Sequence, residues 1–108
     1  MNKHLSEAEN ILLNKICLTL THSELVVQQT FSILVERTHR ISDIKSKIIK
    51  PISETSIREA VLSLVNKKLL SNIKISDKNY YSLTMDGSHI SPFVKKRLIE
   101  SQAQLPLL

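Results

Sequence analysis

Lys50-Pro51-Ile52-Ser53-Glu54-Thr55-Ser56-Ile57-Arg58-Glu59-Ala60-Val61, running on to Leu70, holds a stop, a start and an amphipathic run. Pro51 has no N–H to give and its ring clashes with the turn before it, so a preceding helix ends there. Lys50 is pushed out of the α region by the proline that follows. Ser53 can then cap a new helix by accepting a hydrogen bond from a first-turn N–H. Glu54 lies in the first turn and Lys67-Lys68 near the end, where the helix dipole favours each charge. At about 100° per residue, Ile57, Val61, Leu64, Val65 and Lys68 form the inner arc of a helix over 54–69. Ala60, Leu62 and Leu69 widen that arc, and Ser56, Glu59, Ser63, Asn66 and Lys67 face out.

Upstream, Ser42 or Asp43 can cap a short helix with Ile44, Ile48 and Ile49 on its apolar side and Lys45, Lys47 and Lys50 toward the other. A helix, a short turn and a second helix make a helix-turn-helix. Downstream the period changes to two: Ile73 and Ile75 alternate with Asn72, Lys74 and Ser76, which predicts a strand. Asp77-Lys78-Asn79 supplies turn formers, and Tyr80-Tyr81-Ser82-Leu83-Thr84 returns as the second strand. Met85-Asp86-Gly87-Ser88 breaks the hairpin, and Ser91-Pro92 predicts a helix start with proline first. Phe93, Val94, Leu98 and Ile99 carry that helix to about 103.

The amino-terminal third reads as two helices. Ser6-Glu7-Ala8-Glu9 is a capping box, followed by Ile11, Leu12, Ile16 and Leu20, which predicts a helix over 6–20. Thr21-His22-Ser23-Glu24 is a second start, and Phe31, Leu34 and Val35 take the next helix to about 38. Thr38-His39-Arg40 is a loop candidate.

Ser53-Glu54-Thr55-Ser56-Ile57-Arg58-Glu59-Ala60-Val61, with Leu64 and Leu69-Leu70, resembles the recognition helix of GntR-type bacterial transcription factors. The hairpin, with Tyr81-Ser82-Leu83-Thr84 and Gly87, is similar to that of the MarR and PadR families. All belong to the winged helix-turn-helix superfamily, and the resemblance spans roughly residues 41–87. It implies a mainly α fold with a small β-hairpin, the wing, and additional helices at both ends. It also implies DNA contact at Thr55, Ser56 and Arg58. Three positions depart from the GntR pattern: Glu54 replaces a basic residue, Lys68 replaces a glycine, and the wing lacks a Gly-rich tip.

Composition agrees with one domain over 1–108, its core at about 23–87 and flanking helices at about 6–20 and 92–103. The chain is 42% hydrophobic with no Trp, two Tyr and two Phe, so the core is aliphatic. A net charge of +5 suits a polyanionic partner. The single cysteine, Cys17, excludes an internal disulfide and lies in the apolar run Ile16-Cys17-Leu18, as a small buried hydrophobe would. The start, Met1 to Glu7, turns polar before any apolar stretch develops, so no signal peptide is expected. No apolar run reaches the length of a membrane span. The expected compartment is the cytoplasm.

The four histidines are scattered and a lone glycine cannot build a phosphate loop, so no metal, cofactor or catalytic constellation is expected. A helix of this kind fits the major groove, with cations around it holding phosphates. The expected contacts to double-stranded DNA are Thr55, Ser56, Arg58, Glu59, Ser63 and Lys67 on the second helix of the motif. Lys45, Lys47 and Lys50 on the supporting helix join them, with Lys74, Lys78, Asn79 and Tyr80 on the wing. Other readings stand beside these: Arg58 in a structural salt bridge, the lysines as a solvated face, and the wing lysines as guards of an exposed strand edge. The terminal helices carry apolar stripes that would serve a two-fold homodimer facing a palindromic site. The expected function is a sequence-specific, dimeric transcription regulator. The alternatives are a winged-helix protein-interaction module, favoured by Glu54 and Glu59, and a plasmid or phage replication-initiation protein.

Overall fold

Five helices and one hairpin make up the computed structural model, which describes residues 6–34, 38–48 and 52–103. They follow in the order α1 (Glu7–Leu18), α2 (His22–Ile33), α3 (Ile41–Lys47), α4 (Glu54–Asn66), β1 (Leu70–Ile75), β2 (Lys78–Leu83) and α5 (Met85–Ala103). This is a mainly α fold with a small antiparallel hairpin, as the periodicities predict. None of the described helices is long and apolar enough to cross a membrane.

Two capping boxes start the first two helices. The Ser6 hydroxyl accepts from the Glu9 N–H at 3.1 Å, and Glu9 accepts from the Ser6 N–H at 3.0 Å. Thr21 and Glu24 repeat the pattern at 3.2 and 3.0 Å. α2 ends at Ile33, short of the expected 38; expected positions 35–37 lie outside the described residues. His39 is not simple loop: its N–H donates to the Tyr81 carbonyl at 2.8 Å and its carbonyl accepts from the Tyr81 N–H at 2.7 Å. It thus adds a bridge to the outer side of β2, and its buried ring meets Phe31 edge-on.

α2 is buried along most of its length and packs on α3, α4, α5 and β2. Val27, Phe31, Ile44, Ile57, Val61, Leu64 and Leu69 form the centre of one continuous core. Leu13 and Cys17 of α1, and Ile90 and Val94 of α5, belong to that same core. Burial raises the Cys17 thiol pKa, against a smaller opposing effect of Arg97. Arg97 also donates to the carbonyls of Cys17 and Leu20 at 2.7 and 3.1 Å, so α5 braces the end of α1.

Four expectations need correction. α3 starts at Ile41, so neither Ser42 nor Asp43 is its cap; Asp43 instead accepts from the Arg40 N–H at 3.1 Å from within the first turn. The turn of the hairpin is Ser76-Asp77, not Asp77-Lys78-Asn79. Both residues have positive φ (49° and 65°), and Ile75 pairs with Lys78. A two-residue loop with two positive φ angles matches the twist of paired strands. α4 ends at Asn66 rather than 69, closed by Lys68 in the left-handed region at φ 65°. The Leu69 N–H then reaches the Leu64 carbonyl and the Lys68 N–H that of Val65, at 2.9 and 3.0 Å, the paired bonds of a Schellman closure. So the missing glycine changes the residue at that corner but not its geometry.

The last helix begins at Met85, not at Ser91-Pro92, and Pro92 lies inside it. Thr84 supplies the cap: its hydroxyl accepts from the Gly87 N–H at 2.9 Å and donates to the Lys68 carbonyl at 2.7 Å. Gly87 therefore does not break the chain. It lets α5 pass against the backbone at the end of the Schellman closure, where a Cβ would collide with the Leu69 carbonyl oxygen.

Candidate nucleic-acid interface

Ser53 caps α4 as predicted, accepting from the Ser56 N–H at 3.1 Å. Its own hydroxyl lies 2.9 Å from the Ser56 hydroxyl, which ties Ser56 to the cap and half-buries it. Thr55, Arg58 and Glu59 are exposed beside it, while Ile57, Ala60, Val61 and Leu64 go into the core. Leu62 was expected to widen the inner arc, yet it is 57% exposed. The helix is rotated relative to the wheel, and the same rotation moves other residues inward.

Ser63 and Lys67 are the residues moved. Both were expected to face out. Instead the Ser63 hydroxyl and the Lys67 ammonium each donate to Glu24 Oε2 at 2.8 Å. The Glu24 side chain is only 6% exposed, and Lys67 is 31% exposed. Burial penalises the Glu24 carboxylate, but hydrogen bonds from Lys67, the Thr21 backbone and Ser63 outweigh it. The carboxyl is therefore held below its ordinary value. These two residues join α4 to α2, and both are half-buried rather than facing fully out. Glu24 carried a local signal, as the third residue of a capping box. Its long-range partners carried none.

The first turns of α4 face a cleft. It is lined by Arg40, Ile41 and Ser42 at the start of α3, by Glu54 and Arg58, and by Asp77, Lys78 and Asn79 at the hairpin tip, with Tyr81 at its floor. Glu54 sits 3.8 Å from Lys45 and 3.8 Å from Arg58, with all three side chains about half exposed. Arg58 thus has the structural salt bridge foreseen for it, but a loose one that water can replace. Arg40 was not singled out from sequence. It precedes a helix too short to give a strong periodic signal, and only the packing of the hairpin brings it to the cleft.

The hairpin's alternation splits its expected contacts between two faces. Lys74 pairs with Asn79 on the face that carries Tyr81 and Leu70 inward. Ile75 pairs with Lys78 and Ile73 with Tyr80 on the other face. Lys45 and Lys47 are exposed on α3. Lys50 lies outside the described residues, as do Ile49 and Pro51.

No protein-family model and no curated sequence matches the chain. Solved structures do. Adhesin competence repressor AdcR of Streptococcus pyogenes superposes with a TM-score of 0.60 at 20% identity, over 89% of this chain and 70% of that one. BpsR of Bordetella bronchiseptica, whose DNA binding is regulated by 6-hydroxynicotinic acid, gives 0.62 at 18% identity over 97% and 87%. TubR of Bacillus thuringiensis, bound to 24 bp of tubC, gives 0.63 at 12% identity over 89% and 99%. The chain has the winged helix-turn-helix fold. α3 and α4 are its helix-turn-helix and β1–β2 its wing, with His39 as the third, single-residue rung.

On this winged helix the end helices carry a second surface. Ile11, Leu12 and Leu18 of α1 and Ile99 of α5 are each more than half exposed. Ile11 and Leu18 line a groove with Phe93, Lys96 and Arg97, flanked by Glu7 and Glu100. α1 therefore packs one side on its own domain and turns an apolar side out, and α5 adds Ile99 beside the exposed Lys95, Lys96 and Glu100.

Proposed function

We propose that this winged helix binds double-stranded DNA sequence-specifically, as a homodimeric transcription regulator of the cytoplasm. The observation that carries this reading is the cleft beside α4. Arg58 stands exposed in the first turns of the helix, with Arg40 and Lys78 around the same cleft and Lys45 next to it. A guanidinium there can fork onto a guanine edge or grip a phosphate. Thr55, Ser56 and Glu59 lie along the same helix. Lys45, Lys47, Lys50, Lys74, Lys78, Asn79 and Tyr80 would hold the flanking backbone, while Ser63 and Lys67 contribute by fixing the helix. That the structural neighbours include a repressor, a protein whose DNA binding is regulated and one bound to 24 bp of DNA supports the same reading.

Titration of duplex DNA of random sequence in a gel-shift assay tests it. Binding should fall steeply with salt, because each phosphate contact releases a counterion. Arg58→Ala should weaken binding by roughly tenfold, the lower part of the range for one good base or phosphate contact. Dimerisation through α1 and α5 is supported by the exposed apolar side of α1 and by exposed Ile99 of α5, and Leu12→Arg should then convert a dimer to a monomer in sedimentation equilibrium.

A protein-interaction module is the second reading, favoured by the carboxylates of Glu54 and Glu59 on α4 and by exposed Ile73 and Ile75 on the wing. Unchanged DNA affinity in Arg58→Ala would favour it. A replication-initiation protein would share the interface and differ in the site bound.

A further inference from the structure

A surface built only to grip phosphate would not place a carboxylate among its cations, since the two repel each other. The cleft beside α4 does so: Glu54 lies among Arg40, Arg58 and Lys78, with Asp77 across from it. Its ion pairs are long, at 3.8 Å to Lys45 and 3.8 Å to Arg58, and all three side chains are about half exposed. Pairs of that length and exposure add little to the fold. Ser53, not Glu54, caps the helix. The carboxylate is thus not needed to hold the domain together, and both of its oxygens are open to a new donor.

The donor that suits a lone carboxylate in the major groove is the amino group of cytosine. Guanine presents two acceptors there, and thymine an acceptor and a methyl group. Adenine has an amino group, but its N7 acceptor lies beside it and repels a carboxylate. Opposite any base but cytosine, Glu54 would lose water without a full replacement.

Resting on the DNA-binding reading, we infer that Glu54 is a specificity-determining residue whose charge opposes unmatched DNA and which accepts a hydrogen bond from a cytosine amino group at a matched site. On unmatched DNA its charge offsets two cations and repels the backbone. On matched DNA the hydrogen bond from the amine offsets that repulsion, while Lys45 and Arg58 stay open to phosphate or guanine. The same side chain weakens wrong complexes and completes the right one, which is how specificity is raised without raising every affinity.

The test compares the whole chain with Glu54→Gln and Glu54→Ala, each first shown to melt as the wild type does. Two measurements are made: gel-shift titration of random-sequence duplex over a range of salt, and selection of bound duplexes from a random pool. Both variants should bind random duplex about fivefold tighter at low salt, the size of one unit-charge repulsion at contact in water. Their salt dependence should be steeper by about one phosphate contact. The wild-type pool should fix a C·G pair that the alanine variant leaves free and that the glutamine variant changes toward A·T. Variants that bind random duplex no tighter, or pools identical with the wild type's, overturn the inference and leave the DNA-binding reading standing. A wild-type chain that neither retards duplex nor enriches any sequence sinks that reading itself, before any variant is compared.

Discussion

Two glutamates thirty residues apart each meet a lysine, and they behave as opposites. Glu24 is 6% exposed and takes Lys67 and Ser63 at 2.8 Å. Glu54 is about half exposed and stands 3.8 Å from Lys45 and Arg58. Water makes the difference. Where it is excluded, a carboxylate must satisfy its oxygens within the protein, and the groups that do so become fixed. Where water remains, it competes for every donor and the pair stays interchangeable. Glu24 therefore sets where α4 lies on α2, and Glu54 leaves its cations available.

That contrast can be broken by removing each partner in turn. Glu24→Ala should cost about 3 kcal/mol of unfolding free energy, because it strands Lys67 and Ser63 and undoes the capping box of α2; urea denaturation measures it. Lys67→Met should cost about 2 kcal/mol, less because Lys67 itself retains some water. A loss as small as that of an exposed pair would mean that the α2–α4 contact is held by its apolar side chains alone.

Acid sharpens the same comparison. The Glu24 carboxyl is held below its ordinary value of 4.5, so the unfolded chain binds its proton more readily than the folded one. The stabilisation it gives is whole above pH 4.5 and drains away as pH falls through the lower folded value. Urea midpoints measured from neutral pH downward should fall in that window, and Glu24→Gln should flatten the fall. The smallest effect is expected at the other glutamate: Glu54→Ala should change stability by less than about 0.5 kcal/mol. A double-mutant cycle with Arg58→Ala should then show almost no coupling in the absence of a ligand.

Local chemistry made the fold legible. Ser6 with Glu9, Thr21 with Glu24, and Ser53 each announced a helix start, and the structure has a helix at all three. The alternation over Asn72 to Ser76, with Tyr80 to Thr84 as its return, announced a hairpin, and the strands run Leu70–Ile75 and Lys78–Leu83. What stayed hidden depends on contacts far along the chain. The inward placement of Ser63 and Lys67 goes with Glu24, some forty residues upstream of them. The start of α5 was misread because Ser91-Pro92 is a strong local signal, whereas Thr84 caps by reaching back to Lys68. Arg40 came to the cleft only through the tertiary placement of the wing. Near the start of α4, Glu59 faces out as read, while Ser56, read as facing out, is half-buried and tied to the cap. Toward its end, the partner helix decides.

The root of the wing has a mechanical consequence. Lys68 and Leu69, just before its first strand, are fastened to Thr84, just after its second, and to Gly87 in α5, by hydrogen bonds of 2.7 and 3.3 Å and by a contact too close for any side chain. Six paired residues farther out, the Ser76-Asp77 tip touches no such clamp. The hairpin is held at its mounting and again at mid-length, where Tyr81 exchanges both backbone hydrogen bonds with His39. A load on the tip is therefore shared between the joint where α4 closes and α5 begins and the segment that leads into α3.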